Sequence, residues 1–494
     1  MSQLSTAKES ALAEWMAEAR RVGFWEGRFL PRWLPLILAV GVGALSGLLI
    51  VRGQWSLLVP TVLAVPTLIM FTRFPFAAVI MWILVLPFFV VTPTAAERFA
   101  YWIMHRGLIP ATLLIVVIAN GLRVRKREMI RFGLPELSLL LFVLIAVANI
   151  LTVSAGGANT FIRFYDRLIP QFSLYLLIRV VAPTKDEFKK FLPAALFILV
   201  FECIIGLLTW FAPAAVPVQW LSRVAGERTT GTLANVATFT STLLFLALPL
   251  FHYAMHCRSR FQRGVIVTAF GLTCFSVFFS FSRGSWLAGV VVLIVLFLMY
   301  RRVIASISIL VLTLTLILGG TVLADEIAFA NERLNDASTA QGRIVGNMAS
   351  LLMIEAKPFT GWGYDDYNLY NTEFKARVGE IAVDQKGTSH NTYLTIMAEL
   401  GVPAFIFFML PTLWWLRLTL RAWPYMPRKG FWSRRLVVMF WLALLSSFIV
   451  SNFMDMVRFN PFGTSVYWAS LGFIANLVYP YLQPENRQTL PQAR

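Results

Sequence analysis

The feature that most constrains this chain is a series of apolar runs, each about 17–25 residues long, repeated through most of its 494 residues. A helix of that length crosses the roughly 30 Å hydrocarbon core of a bilayer. Because lipid offers the backbone no hydrogen-bond partners, such segments must be helical. Hydrophobic residues make up 58% of the chain and the mean hydropathy is +0.70, which excludes a soluble globular protein. The sequence therefore predicts an all-α integral membrane protein.

About fourteen transmembrane helices are predicted, within a range of about twelve to fourteen. They lie near residues 33–51, 56–72, 75–92, 107–121, 134–154, 168–182, 191–212, 233–253, 264–281, 284–300, 303–323, 391–416, 436–454 and 464–482.

These spans predict a domain organisation in five parts. Residues 1–32 form an amphipathic cytoplasmic segment, and residues 33–323 form a transmembrane bundle of about eleven helices. Residues 324–390 form one large periplasmic loop, called the large loop below. Residues 391–482 form the C-terminal transmembrane helices, and residues 483–494 form a cytoplasmic tail.

The net charge of +18 is explained by topology and does not require a nucleic-acid partner. If the N-terminus is cytoplasmic, the Lys and Arg clusters fall in the loops on the same side of the membrane. This is the positive-inside pattern of multi-pass membrane proteins. It predicts that both termini are cytoplasmic and that membrane lipids are the partners of the basic loops.

His390 is one of four histidines and lies where the large loop meets the next apolar run. Ser389 or Thr388 is expected to cap the helix that Asn391 begins, which places His390 in its first turn. The partial positive end of that helix would keep the imidazole neutral and able to accept a proton. His390 is therefore a candidate general base. The alternative is a histidine that only satisfies groups at the helix end.

Arg228 and Arg283 are expected at the outer face of the membrane, where an arginine is costly unless it is paired or hydrated. A guanidinium group binds phosphate oxygens through two parallel hydrogen bonds and keeps its charge. Both residues are therefore candidates for binding a phosphate group, with Arg343 in the large loop as a further one. The alternative for Arg283 is an ion pair with Glu227 or Glu202.

An aromatic turn in the large loop is predicted to bind sugars. Trp362, Tyr364, Asp365 and Tyr367 combine apolar ring faces with polar tips, the mixture that suits sugar rings and their hydroxyls. An ordinary interfacial aromatic belt is the alternative. Asp365 and Asp366 are adjacent carboxylates without further ligands nearby in sequence, so structural or sugar-binding roles are favoured and no metal site is predicted.

A helix is predicted just before this turn. It begins near Ser338 and ends before Pro358. Its apolar stripe of Val345, Met348 and Leu352 indicates that it packs onto the membrane bundle.

Three motifs between about residues 226 and 402 resemble the O-antigen ligase and O-antigen polymerase superfamily, GT-C class bacterial membrane glycosyltransferases. The first two are an Arg-x-x-Gly segment before a span and a Ser-Arg-Gly-Ser-Trp hairpin; the third is the large outer loop. They comprise Arg228–Gly231 with Asn235, Ser282–Trp286, and the loop elements Gly342-Arg343, Pro358–Gly363 and Ser389–Leu394. Members of this superfamily typically have about twelve spans, fewer than the fourteen predicted here.

This resemblance implies a multi-pass glycosyltransferase of polysaccharide or lipopolysaccharide biosynthesis in the bacterial inner membrane, with its active site facing the periplasm. The donor would be a glycan on undecaprenyl diphosphate, and the acceptor a glycan or lipid hydroxyl, with no metal or other cofactor. A chain-length regulator is an implied accessory partner.

In the implied mechanism, Arg228 and Arg283 stabilise the diphosphate leaving group. His390 deprotonates the acceptor, and the anomeric centre is inverted. Ser389 or Asn391 would orient the imidazole.

Two other functions remain open from the sequence. A polysaccharide flippase would suit the span count, although the two halves of the chain show no convincing repeat. A peptidoglycan-type polymerase would use a carboxylate of the large loop. Its candidates are Asp336, Asp365, Asp366 and Asp384. Ligases, polymerases and protein-glycosylating relatives share the same arginines and histidine, so the acceptor also remains open.

Overall fold

A computed structural model describes most of the chain after residue 74. The described segments are residues 74–85, 101–121, 132–221, 227–318, 324–335, 337–378, 389–459 and 461–483, with the isolated residues 51, 71, 88 and 98. The predicted N-terminal segment, the spans near 33–51 and 56–72, and most of the C-terminal tail lie outside the described residues. The chain divides into two compact units, and the second, Pro75–Val116 with Glu128–Arg494, contains the candidate site described below.

The described part of the chain is helical, and it contains no strand. The π-helical turn Trp102–Gly107 leads into α2, and short 3-10 turns link several helices. The helices are α1 Pro75–Val85, α2 Leu108–Gly121, α3 Leu134–Thr152, α4 Gly157–Val181, α5 Lys185–Phe211, α6 Val236–Ala254, α7 Arg260–Phe278, α8 Arg283–Leu318, α9 Ala324–Asn335, α10 Ala337–Ala356, α11 Tyr367–Val378, α12 Thr392–Ala422, α13 Arg434–Ser451, α14 Met456–Phe459 and α15 Pro461–Val478.

Among the described residues, eight helices are long and apolar enough to cross a membrane. This confirms a membrane protein built from spanning helices, while the count of fourteen and the orientation of the termini stay predictions. The eight are Trp102–Asn120, Leu134–Thr152, Lys185–Phe211, Val236–Ala254, Arg260–Phe278, Arg283–Ile309, Thr392–Tyr425 and Arg434–Ser451.

Three predicted spans correspond to parts of longer helices. The segments 284–300 and 303–323 correspond to the two parts of α8, which meet at a kink where Tyr300 has non-helical dihedral angles (φ −133°, ψ 44°), and residues 319–323 lie outside the described part of the chain. The span near 168–182 is the second half of α4, whose first half carries the charges of Arg163, Asp166 and Arg167. That charge explains why α4 is not among the eight apolar helices.

The centre of the bundle is α6, in which every residue except Tyr253 is buried. It packs on α13, and α13 in turn packs on α15. The other main contacts pair α4 with α15 and α3 with α12. Because α6 is enclosed by protein, the segment before it, residues 227–235, lies near the centre of one end of the bundle.

The large loop contains α9, α10 and α11. The predicted helix after Ser338 is α10, and it ends at Ala356, before Pro358 as predicted. Its packing on the bundle is also confirmed, because its buried residues Ala349 and Met353 contact Ala398 of α12.

The predicted apolar face of α10 is wrong by one position. Met348 is 49% exposed, whereas Ala349 and Met353 are fully buried. The predicted stripe of Val345, Met348 and Leu352 lies at the edge of the buried face that contains Ala349 and Met353. The small side chain of Ala349 belongs to the same buried cluster as Ala398 of α12.

The helix α12 is broken at Gly401, which has a left-handed backbone conformation (φ 84°), and Pro403 follows two residues later. In an unbroken helix, the carbonyl of Glu399 would accept from the residue at 403, but proline has no N–H. The break therefore leaves the carbonyls of Ala398 and Glu399 without partners inside the helix.

Residues 358–363, called the docking turn, supply these partners from the large loop. The amides of Trp362 and Gly363 donate to the carbonyls of Ala398 and Glu399, each at 3.0 Å. In the opposite direction, the amide of Val402 donates to the carbonyl of residue 358 at 2.8 Å. Three backbone hydrogen bonds thus join the large loop to the broken span.

Asn149, at the end of α3, holds the other side of the docking turn. Its Nδ2 donates to the carbonyl of Thr360 at 2.7 Å, and its Oδ1 accepts from the amide of Tyr364 at 2.8 Å. A buried amide is costly unless its hydrogen bonds are made. Asn149 therefore fixes the position of the docking turn against the bundle.

Replacing Gly361 with alanine should prevent this docking. A Cβ there would lie 2.2 Å from the Glu399 carbonyl oxygen and 2.6 Å from the Leu400 amide nitrogen, at a φ of +66° that L-residues disfavour. We expect Gly361→Ala to lower the free energy of unfolding by about 2 kcal/mol or more, measured as a lower Tm in detergent. Gly264→Ala is the control, because a Cβ at Gly264 meets nothing within 4 Å. Equal Tm values for the two variants would contradict this account.

Candidate functional site

The structure brings His390, Arg343, Arg283 and Arg228 together at one end of the bundle. The pKa of His390 is lowered below its ordinary value, first by burial and then by the charge of nearby Arg343. The pKa of Arg343 is itself lowered by burial and by the charge of Arg283. Arg343 also contributes, after larger causes, to lowering the pKa of Arg228. These residues are far apart in sequence, and each lies within electrostatic range of Arg343.

His390 has a different local geometry from the predicted one. Asn391 is the N-cap of α12, and its Oδ1 accepts from the amides of Tyr393 and Leu394 at 3.0 and 3.2 Å. His390 therefore precedes the helix and has a left-handed conformation (φ 53°). The predicted cap by Ser389 is wrong, and Thr388 lies outside the described residues. The neutral state of His390 is thus favoured by burial and by Arg343, and not by a place in the first turn.

Ser389 and Asn391 fix the backbone on either side of His390. The Ser389 hydroxyl donates to the Asn391 carbonyl at 2.9 Å and lies 2.8 Å from the hydroxyl of Thr395. The Asn391 amide group donates to Oδ1 of Asn452 at 3.3 Å. These contacts hold the peptide segment that carries His390, and a direct role in orienting its ring stays a prediction.

Arg283 is the first residue of α8, and its guanidinium contacts the large loop. Its Nε and Nη2 donate to the backbone carbonyl of Arg333, at 3.0 and 2.6 Å. The carboxylates that the sequence suggested as partners are used elsewhere. Glu202 accepts from Thr232, and Glu227 lies 3.8 Å from Nη2 of Arg333. Arg283 therefore joins the start of a transmembrane helix to the end of α9.

Arg228 precedes a tight turn that Glu202 holds from inside the bundle. The carboxylate of Glu202 accepts from the amide of Thr232 at 3.0 Å and from its hydroxyl at 2.5 Å. Gly231 is left-handed (φ +55°), and a Cβ there would lie 2.1 Å from Oε2 of Glu202. The glycine of the Arg-x-x-Gly motif is thus needed for close packing on a buried carboxylate. Asn235 then caps α6.

The turn of residues 452–456, called the connecting turn, joins the starts of three helices. The hydroxyl of Thr392, at the start of α12, donates to the Met454 carbonyl at 3.1 Å and accepts from the Met456 amide at 2.9 Å. Asn235 donates to the sulfur of Met454 at 3.0 Å. Phe453 packs so closely on Gly284 that a Cβ there would lie 2.9 Å from its ring. The starts of α6, α8 and α12 are therefore held around one point.

Asp455 of the connecting turn is a site residue that the sequence analysis missed. It is 1% exposed, and its charge raises the pKa of His390, against the larger effects of burial and Arg343. No motif marks it. One signal was available, because Asp455 is the only acidic residue between positions 400 and 484 and it lies at the end of an apolar span.

Lys375 and Arg333 are two further cations near the site that the sequence analysis did not select. Burial lowers the pKa of Lys375, and its charge is one of the smaller influences that lower the pKa of His390. Arg333 is the second cause, after burial, of the lowered pKa of Arg228. Both residues belong to the helices of the large loop, so this loop contributes a substantial part of the positive charge.

The aromatic residues predicted to bind sugars have structural contacts instead of open ring faces. Trp362 donates from Nε1 to the Met353 carbonyl at 2.9 Å, and Lys357 covers its ring at 4.0 Å. Tyr364 and Tyr367 are 4% and 0% exposed. Tyr364 lines a small cavity together with Thr395 and Asp455, and the contact of these three rings with sugars stays a prediction.

The neighbouring carboxylates are also used in holding the large loop. Asp365 forms ion pairs with Arg163 and Arg167 of α4. Asp366 accepts from the amide of Ala155 at 2.7 Å. Asp336 and Asp384 lie outside the described residues. Among the residues the structure describes, no group of three or more His, Cys, Asp or Glu side chains is placed to hold a metal ion.

The arrangement combines a concentration of positive charge with a histidine that is favoured in its neutral form. Three guanidinium groups lie near the N-terminal ends of α6, α8 and α12, where helix dipoles add partial positive charge. An anion with several oxygens would be stabilised there, and a neutral imidazole beside it can accept a proton.

Comparison with known proteins identifies the central part of the chain. The sequence model of a family described as O-antigen ligase matches residues 268–409. The matched region contains Arg283, Arg343 and His390, whereas Arg228 and Asp455 lie outside it. No curated protein matches the chain. The resemblance to the O-antigen ligase and O-antigen polymerase superfamily is thus confirmed through residues 268–409.

Proposed function

We propose that this protein is a membrane glycosyltransferase that transfers a glycan from undecaprenyl diphosphate to an acceptor hydroxyl, with inversion and without a metal. The observation that carries the proposal is that Arg343 lies within electrostatic range of His390, Arg283 and Arg228, and packs over Phe453 of the connecting turn at 5.9 Å. An uncharged donor or acceptor alone would not require this concentration of positive charge.

In the proposed reaction, Arg228 and Arg283 bind the diphosphate and stabilise the charge that develops on it as the glycosidic bond breaks. Arg343 lies within electrostatic range of both Arg283 and His390, and it would also bind the diphosphate. Because guanidinium groups keep their charge, this stabilisation is independent of pH in the physiological range.

His390 is the proposed general base. It would take the proton from the acceptor hydroxyl as that oxygen attacks the anomeric carbon, on the face opposite the diphosphate. Its burial and the nearby Arg343 favour the neutral imidazole. Asp455 would stabilise the imidazolium once it forms, which is a positioning and electrostatic role.

The carboxylate mechanism of a peptidoglycan-type polymerase has less support. Asp365 and Asp366 are held by Arg163, Arg167 and the Ala155 amide, so neither is poised to accept a proton from the acceptor hydroxyl.

We further propose that the site faces the periplasm from the bacterial inner membrane, and that the acceptor is a glycan or a lipid. A chain-length regulator fits a polymerase.

Replacing His390 with alanine should lower the rate of glycan transfer by about a hundredfold to ten-thousandfold, because the general base is lost. The measurement uses purified protein with undecaprenyl-diphosphate glycan, with and without a lipid acceptor. His256→Ala, at the opposite end of α6 from Asn235, is the control and should keep its activity. Retained transfer in His390→Ala would contradict the proposal. Product ladders without a lipid acceptor would indicate a polymerase.

The pH dependence of kcat/KM should report His390. Because its folded pKa is lowered, activity should be complete at neutral pH and fall only below the ordinary histidine value of about 6.5. Arg343→Gln removes a lowering influence and should move this acidic limb to higher pH. Asp455→Asn removes a raising influence and should move it to lower pH. Shifts in the same direction would exclude His390 as the titrating group.

A further inference from the structure

Arg333, the third-last residue of α9, occupies a position that couples the two arginines of the proposed donor site. Its backbone carbonyl accepts both hydrogen bonds from Arg283. Its guanidinium lies close enough to Arg228 to be the largest electrostatic influence on that residue after burial. Arg333 thus contacts one site arginine through its main chain and faces the other through its side chain.

The guanidinium groups of Arg228 and Arg333 are partly buried like charges that lie near each other. The Arg333 side chain is 27% exposed. The Nε atom of each is buried and has no hydrogen-bond partner among the described residues. The carboxylate of Glu227, the residue before Arg228, lies 3.8 Å from Nη2 of Arg333, which is too long for a hydrogen bond. Glu227 is also largely exposed, with 62% of its side chain open to solvent. Solvent screening therefore weakens the attraction between the Glu227 carboxylate and the two guanidinium groups.

The side chain of Arg333 is held in place despite this repulsion. Its guanidinium stacks over the ring of Phe329 at 4.9 Å, and Phe329 in turn packs on Phe281 and Trp210. A stacked arginine is pre-organised, so it loses little conformational freedom when it binds an anion. Two like charges fixed together with unsatisfied donors indicate that an anion completes the arrangement.

We infer that Arg333 binds the donor diphosphate together with Arg228, as a further binding residue of the proposed reaction. This inference rests on the proposed function. A diphosphate has two phosphoryl groups, and each can accept from a separate guanidinium. Arg333 therefore favours a diphosphate over a monophosphate, because only the diphosphate offers oxygens to both ends of the arginine cluster.

The inference is tested by direct binding of two probes, undecaprenyl diphosphate and undecaprenyl monophosphate, to full-length protein in detergent. Arg333→Gln should raise the Kd for the diphosphate about tenfold to a hundredfold and change that for the monophosphate much less. Arg283 donates its hydrogen bonds to the main-chain carbonyl of Arg333, so replacing the Arg333 side chain leaves these hydrogen bonds in place. Arg377→Gln is the control, because Arg377 is 58% exposed and paired with Glu373.

Glu227→Gln separates the binding role from a purely structural ion pair. If Arg333 binds phosphate, loss of the Glu227 carboxylate removes a competitor, and affinity for the diphosphate should hold or rise. If Arg333 only pairs with Glu227, both substitutions should weaken binding equally, and that outcome overturns the inference. Should Arg333→Gln not fold, Arg333→Lys keeps the charge without the planar fork and should still lose part of the discrimination.

The failure of this inference can be distinguished from that of the proposed function. A wild-type protein that binds both lipids equally would overturn the assignment of a diphosphate donor, and Arg333 with it. A wild-type protein that prefers the diphosphate, together with an Arg333→Gln variant that keeps the same preference, would overturn only the role of Arg333.

Discussion

The three backbone hydrogen bonds between the docking turn and the break in α12 are the contact on which the rest of the site depends. Gly401 and Pro403 interrupt a helix at a place where the freed carbonyls of Ala398 and Glu399 are buried. Buried backbone groups without partners are costly, and inside a membrane protein they must be satisfied by protein. The docking turn supplies the missing donors. The large loop is consequently an integral part of the bundle. His390, just before α12, and Arg343, on α10, are fixed relative to each other by the same contact.

A concentration of buried positive charge opposes folding unless the fold holds it in place and an anion compensates it. Here the cations are held from several directions. Arg283 is bonded to the end of α9, Arg343 lies over Phe453 at 5.9 Å, and the connecting turn joins three helix starts. Binding of a polyanion would relieve repulsion that already exists in the folded protein. The charges are thus pre-organised, and little reorganisation is needed when negative charge develops on a leaving group.

Sequence reasoning was most successful where chemistry is local. Arg228, Arg283 and His390 stand in short motifs beside apolar spans, and each lies within electrostatic range of Arg343, while their roles stay proposals. The helix α10 ends before Pro358 as predicted, but it begins at Ala337, one residue before the predicted cap Ser338, and its buried face is shifted because Ala349 carries too little hydrophobicity to be noticed. Asp455 and Arg333 were missed because their importance comes from tertiary proximity, which no spacing in the sequence records. The aromatic turn was the reverse case. Its composition suits sugars, and in the structure Trp362 donates to the Met353 carbonyl of α10 while Asp365 pairs with Arg167 of α4, so the sugar contact stays a prediction.

The opposing influences of Arg343 and Asp455 on His390 suggest how donor binding and base strength are linked. Without a donor, Arg343 disfavours the imidazolium, so His390 is neutral but only weakly basic. A diphosphate bound at Arg343 would offset that positive charge, leaving Asp455 with a larger relative effect. The pKa of His390 should then rise toward its ordinary value, which increases its ability to take a proton from the acceptor. His390 is therefore expected to become an effective base when the diphosphate is bound, because Arg343 interacts with both the diphosphate and the imidazole.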